Sequence, residues 1–153
     1  MRRWYIAVLS ALLTGAAFSA AAATGKVVKV LPHFLDQQGR HALSPSLYER
    51  DAYQAQLRRN PEQRSGLRFD VLTRVRTPGA RNLKVKVEVR GVAEGNLPSE
   101  RTVESAMKGG SGSRWTTITL SREDYDALGE MTAWRVTLWA GDELIGEQKS
   151  FLW

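Results

Sequence analysis

The sequence predicts a mainly β domain, an antiparallel β-sandwich of about seven strands with one α-helix inserted between the first and second strands. Several segments alternate apolar and polar residues with the period of two that is typical of a strand with one buried face. Turn residues separate these segments at spacings compatible with a sandwich. One segment, residues 44–63, interrupts the alternation with helix-capping signals and with apolar residues at helical spacing.

The first residues predict an export signal that precedes the domain. A positive start, Met1 to Arg3, is followed by an uncharged apolar run and by small residues in the A-x-A pattern that a signal peptidase requires. We expect residues 1–23 to be a signal peptide cut near Ala22 or Ala23, which places residues 24–153 in the periplasm or outside the cell. An uncleaved anchor is the alternative, because the run approaches the roughly 20 residues that span a bilayer. No later segment predicts stable membrane insertion after cleavage.

Composition limits the classes of function. The mature chain of about 130 residues is long enough for one domain with a single core. The chain has no cysteine, which excludes disulfides, thiolate metal sites and cysteine nucleophiles. Its formal net charge of +6 includes Arg2 and Arg3, so the mature chain carries 20 basic against 16 acidic residues. This modest and scattered excess does not predict a nucleic-acid partner.

Three segments give the first strands. "KVVKVL" (26–31) is rich in β-branched residues, and "LRFDVLTRV" (67–75) alternates apolar and polar positions. "LKVKVEVR" (83–90) alternates most regularly, with four apolar residues predicted to face the core. Between the second and third strands, Pro78 and Gly79 occupy the central positions of a predicted type II turn. The sequence therefore predicts a hairpin between these two strands.

Three further segments and a final hairpin complete the count. We expect strands at 101–107, 114–120 and 133–140, and a last strand after a two-residue turn at Gly141 and Asp142. Pairing across this turn sets Leu138 beside Ile145, and Gly146 predicts a bulge. Between the fifth and sixth strands, "SREDYDALG" predicts a single capped helical turn.

At the level of the fold, residues 26–153 resemble the immunoglobulin and fibronectin type III class of β-sandwich. The number of strands and the spacing of the turns carry this resemblance. The cysteine pair of true immunoglobulin domains is missing, and "DYDALGEM" does not reproduce their tyrosine corner. The resemblance implies a two-sheet sandwich and no particular activity.

Residues 44–63 predict the inserted helix. Ser44 is a candidate N-cap with Pro45 at the first helical position, and Ser46 with Glu49 forms an overlapping capping box. Asn60 and Pro61 end the helix. We expect Tyr48, Ala52 and Ala55 to pack on the sandwich. The helix also carries the candidate site for a protein partner, and its residues are Arg50, Tyr53, Leu57, Arg58 and Arg59.

These observations favour an exported, non-enzymatic protein-protein interaction or structural module of the cell envelope. The alternative is a carbohydrate or cell-wall binding module that stacks a sugar on an exposed Trp139. A minor alternative, a small outer-membrane β-barrel, follows from the terminal "FLW". His33, Asp36 and His41 match no metal motif, and no elbow motif positions a nucleophilic serine. We therefore predict no catalytic residue, metal or cofactor.

Overall fold

The computed structural model describes residues 22–77 and 82–153. The strands and helices follow one another along the chain in the order β1, α1, β2, β3, β4, β5, α2, β6, β7. The strands are β1 Thr24–Asp36, β2 Arg64–Arg76, β3 Leu83–Ala93, β4 Leu97–Met107, β5 Gly112–Thr119, β6 Glu130–Ala140 and β7 Glu143–Lys149. The helices are α1 Leu47–Arg59 and α2 Arg122–Leu128.

The protein is mainly β, and its seven antiparallel strands form two sheets, as predicted. The first sheet has three strands in the order β1-β2-β5, and the second has four in the order β4-β3-β6-β7. The predicted hairpin between the second and third strands is wrong, because β2 and β3 belong to different sheets. The predicted turn at Pro78 and Gly79 lies outside the described residues.

Alternating residues of both sheets fill one hydrophobic core. The four apolar residues predicted to face inward from β3 are all buried, and five alternate residues of β2 face them. Trp134 of β6 packs against this core, edge to face with Phe69 at 6.5 Å between ring centroids. The strand periodicity therefore identified the buried face of each of these strands correctly. The inward residues of β3 and β2 are Leu83, Val85, Val87, Val89, Leu67, Phe69, Val71, Thr73 and Val75.

The last hairpin contains a bulge, one residue away from the predicted place. Leu138 pairs with Gly146, and Trp139 pairs with Leu144, so Ile145 is the extra residue. Ile145 packs against the core. Gly146 instead marks the point where β7 touches β1: a β-carbon added there would lie 2.9 Å from the Lys26 Cα.

The caps predicted for the helices account for their boundaries. Ser46, not Ser44, is the N-cap of α1, and its Oγ accepts a hydrogen bond from the Glu49 amide at 3.4 Å. Asn60 closes α1 before Pro61. The predicted helical turn is α2, with Ser121 as N-cap and Gly129 as C-cap.

No helix within residues 22–77 and 82–153 is long and apolar enough to cross a membrane. Residues 1–21 of the predicted signal peptide lie outside this range.

Candidate functional site

A buried glutamine fixes the rotation of α1. The Gln54 side chain accepts a hydrogen bond from the Phe34 amide at 2.8 Å and donates to the carbonyls of Phe34 and His41 at 2.9 and 2.8 Å. These bonds satisfy backbone groups at the end of β1, where polar groups need partners. Gln54 and Leu57 therefore face the protein. Helical spacing alone groups Gln54 with Arg50 and Arg58 on a polar face of the helix, so its burial was not expected from the sequence.

A second contact holds the loop that leads from β1 to α1. The Tyr53 hydroxyl donates to Asp36 Oδ2 at 2.7 Å, and Arg40 Nε donates to the same oxygen at 2.8 Å. The amides of Gln38 and Arg40 donate to Asp36 Oδ1. Burial acts to raise the pKa of Asp36, but these hydrogen bonds outweigh it and lower the pKa to about 2. Asp36 thus organises the loop as a carboxylate.

A buried arginine joins the end of α1 to both sheets. Arg64 donates to the carbonyls of Leu57 and Arg58, which are unpaired acceptors of the last helical turn. Its Nη1 donates to Glu130 Oε2 at 2.8 Å, and its guanidinium lies 4.1 Å from the centre of the Phe34 ring. Gln54 and Tyr53 thus hold the middle of α1 and Arg64 holds its C-terminal end, which fixes the rotation of the helix on the sandwich.

Three large apolar side chains are exposed at the start of α1 and in the loop before it. Leu43 is 61% exposed, Leu47 is 66% exposed and Tyr48 is 84% exposed. The prediction that Tyr48 packs on the sandwich is therefore wrong, since Gln54 and Leu57 take the inward positions. Leu43 and Tyr48 border a shallow groove of about 310 Å³. We call Leu43, Leu47 and Tyr48 the apolar patch.

The residues predicted to contact a partner occupy different environments. Arg58 and Arg59 are exposed, whereas Leu57 is fully buried, so the prediction that it faces outward is wrong. Tyr53 is half-buried and held by its bond to Asp36. Arg50 lies beside the first sheet and pairs with Asp51 at 3.0 Å. Of this predicted set, Arg58 and Arg59 are the most accessible.

Where α1 meets the outer face of the first sheet, a cleft of about 310 Å³ opens. Asp70 lies at its base: Thr117 Oγ1 donates to it at 2.7 Å, and Arg68 binds the same oxygen at 2.9 Å. His33 Nε2 is 3.7 Å from the other Asp70 oxygen. We call this the histidine cleft, and its lining residues are Leu31, His33, His41, Arg50, Arg68, Asp70, Trp115 and Thr117.

Electrostatics keep the two histidines of the cleft mainly neutral at pH 7. Burial lowers the pKa of His33, partly opposed by Asp70, and the nearby His41, Arg50 and Arg68 lower it further. Burial and Arg68 also lower the pKa of His41. The two rings lie 5.2 Å apart. Asp70 remains a carboxylate, because hydrogen bonds from Thr117 and Arg68 and the charge of Arg68 outweigh burial, which acts to raise its pKa.

Two tryptophans lie on the outer faces of the sheets. Trp139, the predicted stacking residue, lies on the outer face of the second sheet, where it is half-buried and its Nε1 donates to Thr137 Oγ1 at 2.9 Å. Trp115 is 53% exposed at the mouth of the histidine cleft. The sequence did not single out Trp115, although its parity in β5 placed it opposite the inward Ile118.

The predicted ligand-type residues do not converge on one point. Asp36 binds Tyr53 and Arg40, while His33 and His41 lie beside Asp70. Among the described residues, no group of three or more histidine, aspartate or glutamate side chains is arranged to hold a metal ion.

Comparisons with protein-family models, with curated proteins and with solved structures found no match to this chain.

Proposed function

We propose that the protein is an exported, non-enzymatic protein-interaction module of the cell envelope, and that the apolar patch is its docking surface. The observation that carries the proposal is the exposure of Leu43, Leu47 and Tyr48 within six residues of chain. Single exposed apolar residues are ordinary, but three that are close together in the chain, two of them beside a groove, support an interaction site. Arg58 and Arg59 add exposed cations farther along α1.

The proposed architecture is an immunoglobulin-like sandwich. The chain crosses between the sheets after β2, β4 and β5, and the order β1-β2-β5 faces β4-β3-β6-β7. Consecutive strands pair only at β1–β2, β3–β4 and β6–β7, and this order supports a Greek-key arrangement of that class. The A-x-A pattern before Thr24 supports export.

The partner is a folded envelope protein with an apolar ridge that fits the groove between Leu43 and Tyr48. Tyrosine supplies large contact area at low entropic cost, so Tyr48 is the expected centre of the contact. A rigid helix presents this centre without reordering on binding, because Gln54 and Arg64 anchor it.

The test is chemical crosslinking in envelope extracts of the protein's own host, with the mature wild type and a Leu47→Ser, Tyr48→Ser double variant. We expect the wild type to crosslink to one protein and the double variant to lose that product. Leu144→Ser is the matched control, because Leu144 is an exposed leucine on β7. A product that survives the double variant, or that the control also removes, contradicts the assignment of the patch.

A further inference from the structure

The outer face of the second sheet is neutralised by its own ion pairs. Lys84 lies 3.2 Å from Glu104, Arg90 lies 3.6 Å from Glu100, and Glu88 pairs with both Lys86 and Arg135 at 3.3 and 2.9 Å. Cations and carboxylates alternate across neighbouring strands there, which is how cross-strand pairs stabilise a solvated sheet.

The outer face of the first sheet is different. Five of its outward positions carry a cation and one carries a carboxylate, Asp70. Asp70 is already bound by Arg68, Thr117 and His33. Among the described residues, no carboxylate pairs with the four remaining cations, although Arg74 donates to Ser113 Oγ. We call the five cations the cationic face: Lys26, Lys29, Arg68, Arg74 and Arg76.

The strand register arranges these charges along the sheet. Lys26 pairs with Arg74, and His33 pairs with Arg68 seven residues farther along β1. At about 3.3 Å per residue this separation is roughly 20 Å. Like charges directly opposite each other destabilise a sheet, so an anion bound between Lys26 and Arg74 would relieve their repulsion.

Trp115 adds a flat apolar surface to the cationic face. It pairs with Leu72 in the register of β2 and β5, and it is more than half exposed. Outward hydroxyls of Ser113, Thr117 and Thr119 accompany it along β5. An exposed tryptophan flanked by hydroxyls and cations offers stacking, hydrogen bonds and charge to one ligand.

We propose that the cationic face and Trp115 bind an acidic polysaccharide, with a sugar ring stacked on Trp115 and its carboxylates paired with the arginines and lysines. The length of the face suits a chain of sugars, and its charge requires an anionic one. Binding of single-stranded nucleic acid uses several aromatic side chains for successive bases. Among the described outward residues of the first sheet, Trp115 is the only exposed aromatic side chain, because His33 is buried. This site is independent of the apolar patch.

The test is the affinity of the mature protein for alginate, a polyuronate, at low and at physiological ionic strength. Dextran is the uncharged glycan control, and a single-stranded oligonucleotide is the anionic control. We expect binding to alginate that weakens with salt, no binding to dextran, and weaker binding to the oligonucleotide.

Substitutions on each surface test which residues bind alginate. Trp115→Ala is expected to lower the affinity for alginate at least about tenfold. Lys29→Gln with Arg74→Gln is expected to lower both the affinity and its dependence on salt. Trp139→Ala and Lys84→Gln on the second sheet are the matched controls and are expected to change neither. The Leu47→Ser, Tyr48→Ser variant is expected to bind alginate normally, which separates this site from the docking surface.

Three outcomes overturn the proposal: no binding to alginate at low ionic strength, equal or tighter binding to the oligonucleotide, or alginate binding that is insensitive to Trp115→Ala. Circular dichroism of each variant confirms that a loss of affinity is not a loss of fold. Thr116, an inward-facing neighbour of Trp115, lies outside the face, so Thr116→Ser provides a further variant expected to bind normally.

Discussion

At the scale of single residues, Asp36 shows how a buried charge supports the candidate site. Four hydrogen bonds converge on its carboxylate from Tyr53, Arg40 and the amide of Gln38. The same loop carries His41 into the histidine cleft and leads into the apolar patch. Both surfaces therefore depend on this carboxylate staying charged.

The lowered pKa of Asp36 predicts a specific dependence of stability on pH. The folded value of about 2 lies below the ordinary value of 3.8, so the charged form stabilises the fold above pH 3.8 and this contribution disappears as the pH falls towards 2. We expect Asp36→Asn to lower the free energy of unfolding by about 2 kcal/mol at pH 7. The difference from wild type should shrink below pH 4.

Urea unfolding at several pH values measures this difference. Asp51→Asn is the matched control, because Asp51 is an exposed carboxylate on α1, and it should change stability little at any pH. An Asp36→Asn effect that is the same at pH 7 and at pH 3 would show that geometry, and not charge, is what the side chain contributes.

At the scale of secondary-structure elements, the sequence predicted the strands and helices better than their pairing. The alternation in β3 identified its buried face because one side of the strand is core and the other is solvent. The same alternation says nothing about which sheet a strand joins, so β2 and β3 were wrongly paired. The inward face of α1 was also predicted wrongly. Gln54 is a polar residue, but it is buried because its side chain bonds to the backbone of β1.

The candidate site was predictable only in part. Arg58 and Arg59 are exposed as expected, but the burial of Leu57 and the exposure of Tyr48 follow from the rotation of α1. The histidine cleft joins residues from β1, β2, β5, α1 and a loop, and no local pattern brings these segments together. The alternation in β5 was enough to recognise Trp115 as an outward residue. The side chains that surround it come from other elements and could not be predicted.

Close contact between β1 and β7 gives a prediction at this scale. A β-carbon at Gly146 would lie 2.9 Å from the Lys26 Cα and 3.2 Å from the Gly25 carbonyl oxygen, and backbone atoms cannot move aside easily. We expect Gly146→Ala to lower the free energy of unfolding by about 1–3 kcal/mol. Gly66→Ala is the matched control, because its added β-carbon meets only the Leu35 side chain, at 3.4 Å.

The midpoint of urea unfolding measures both variants, and an unchanged slope shows that the unfolded state is the same. Equal stability of Gly146→Ala and wild type would mean that β7 is free to shift away from β1. In that case the contact between the two sheets at this edge would contribute little to the fold.

At the scale of the whole molecule, the burial of Ala23 leads to a more specific prediction of the processing site. Ala23 is 4% exposed and belongs to the hydrophobic core, whereas Ala22 is exposed. A core residue should remain in the mature protein, so we predict cleavage after Ala22. The mass of the intact protein purified from its host measures this, and a chain that starts at Thr24 or later would contradict it.

The start of β1 and helix α1 lie at opposite ends of the first sheet. Thr24 pairs with Arg76 at the end of β2, whereas Gln54 of α1 binds the backbone of Phe34 near the other end of β1. The thirteen residues of β1 place its two ends roughly 40 Å apart. A domain immobilised by its N-terminus therefore presents α1 and the histidine cleft to an incoming ligand, on the side away from the support. Sensor surfaces and display formats should attach this protein through residue 23.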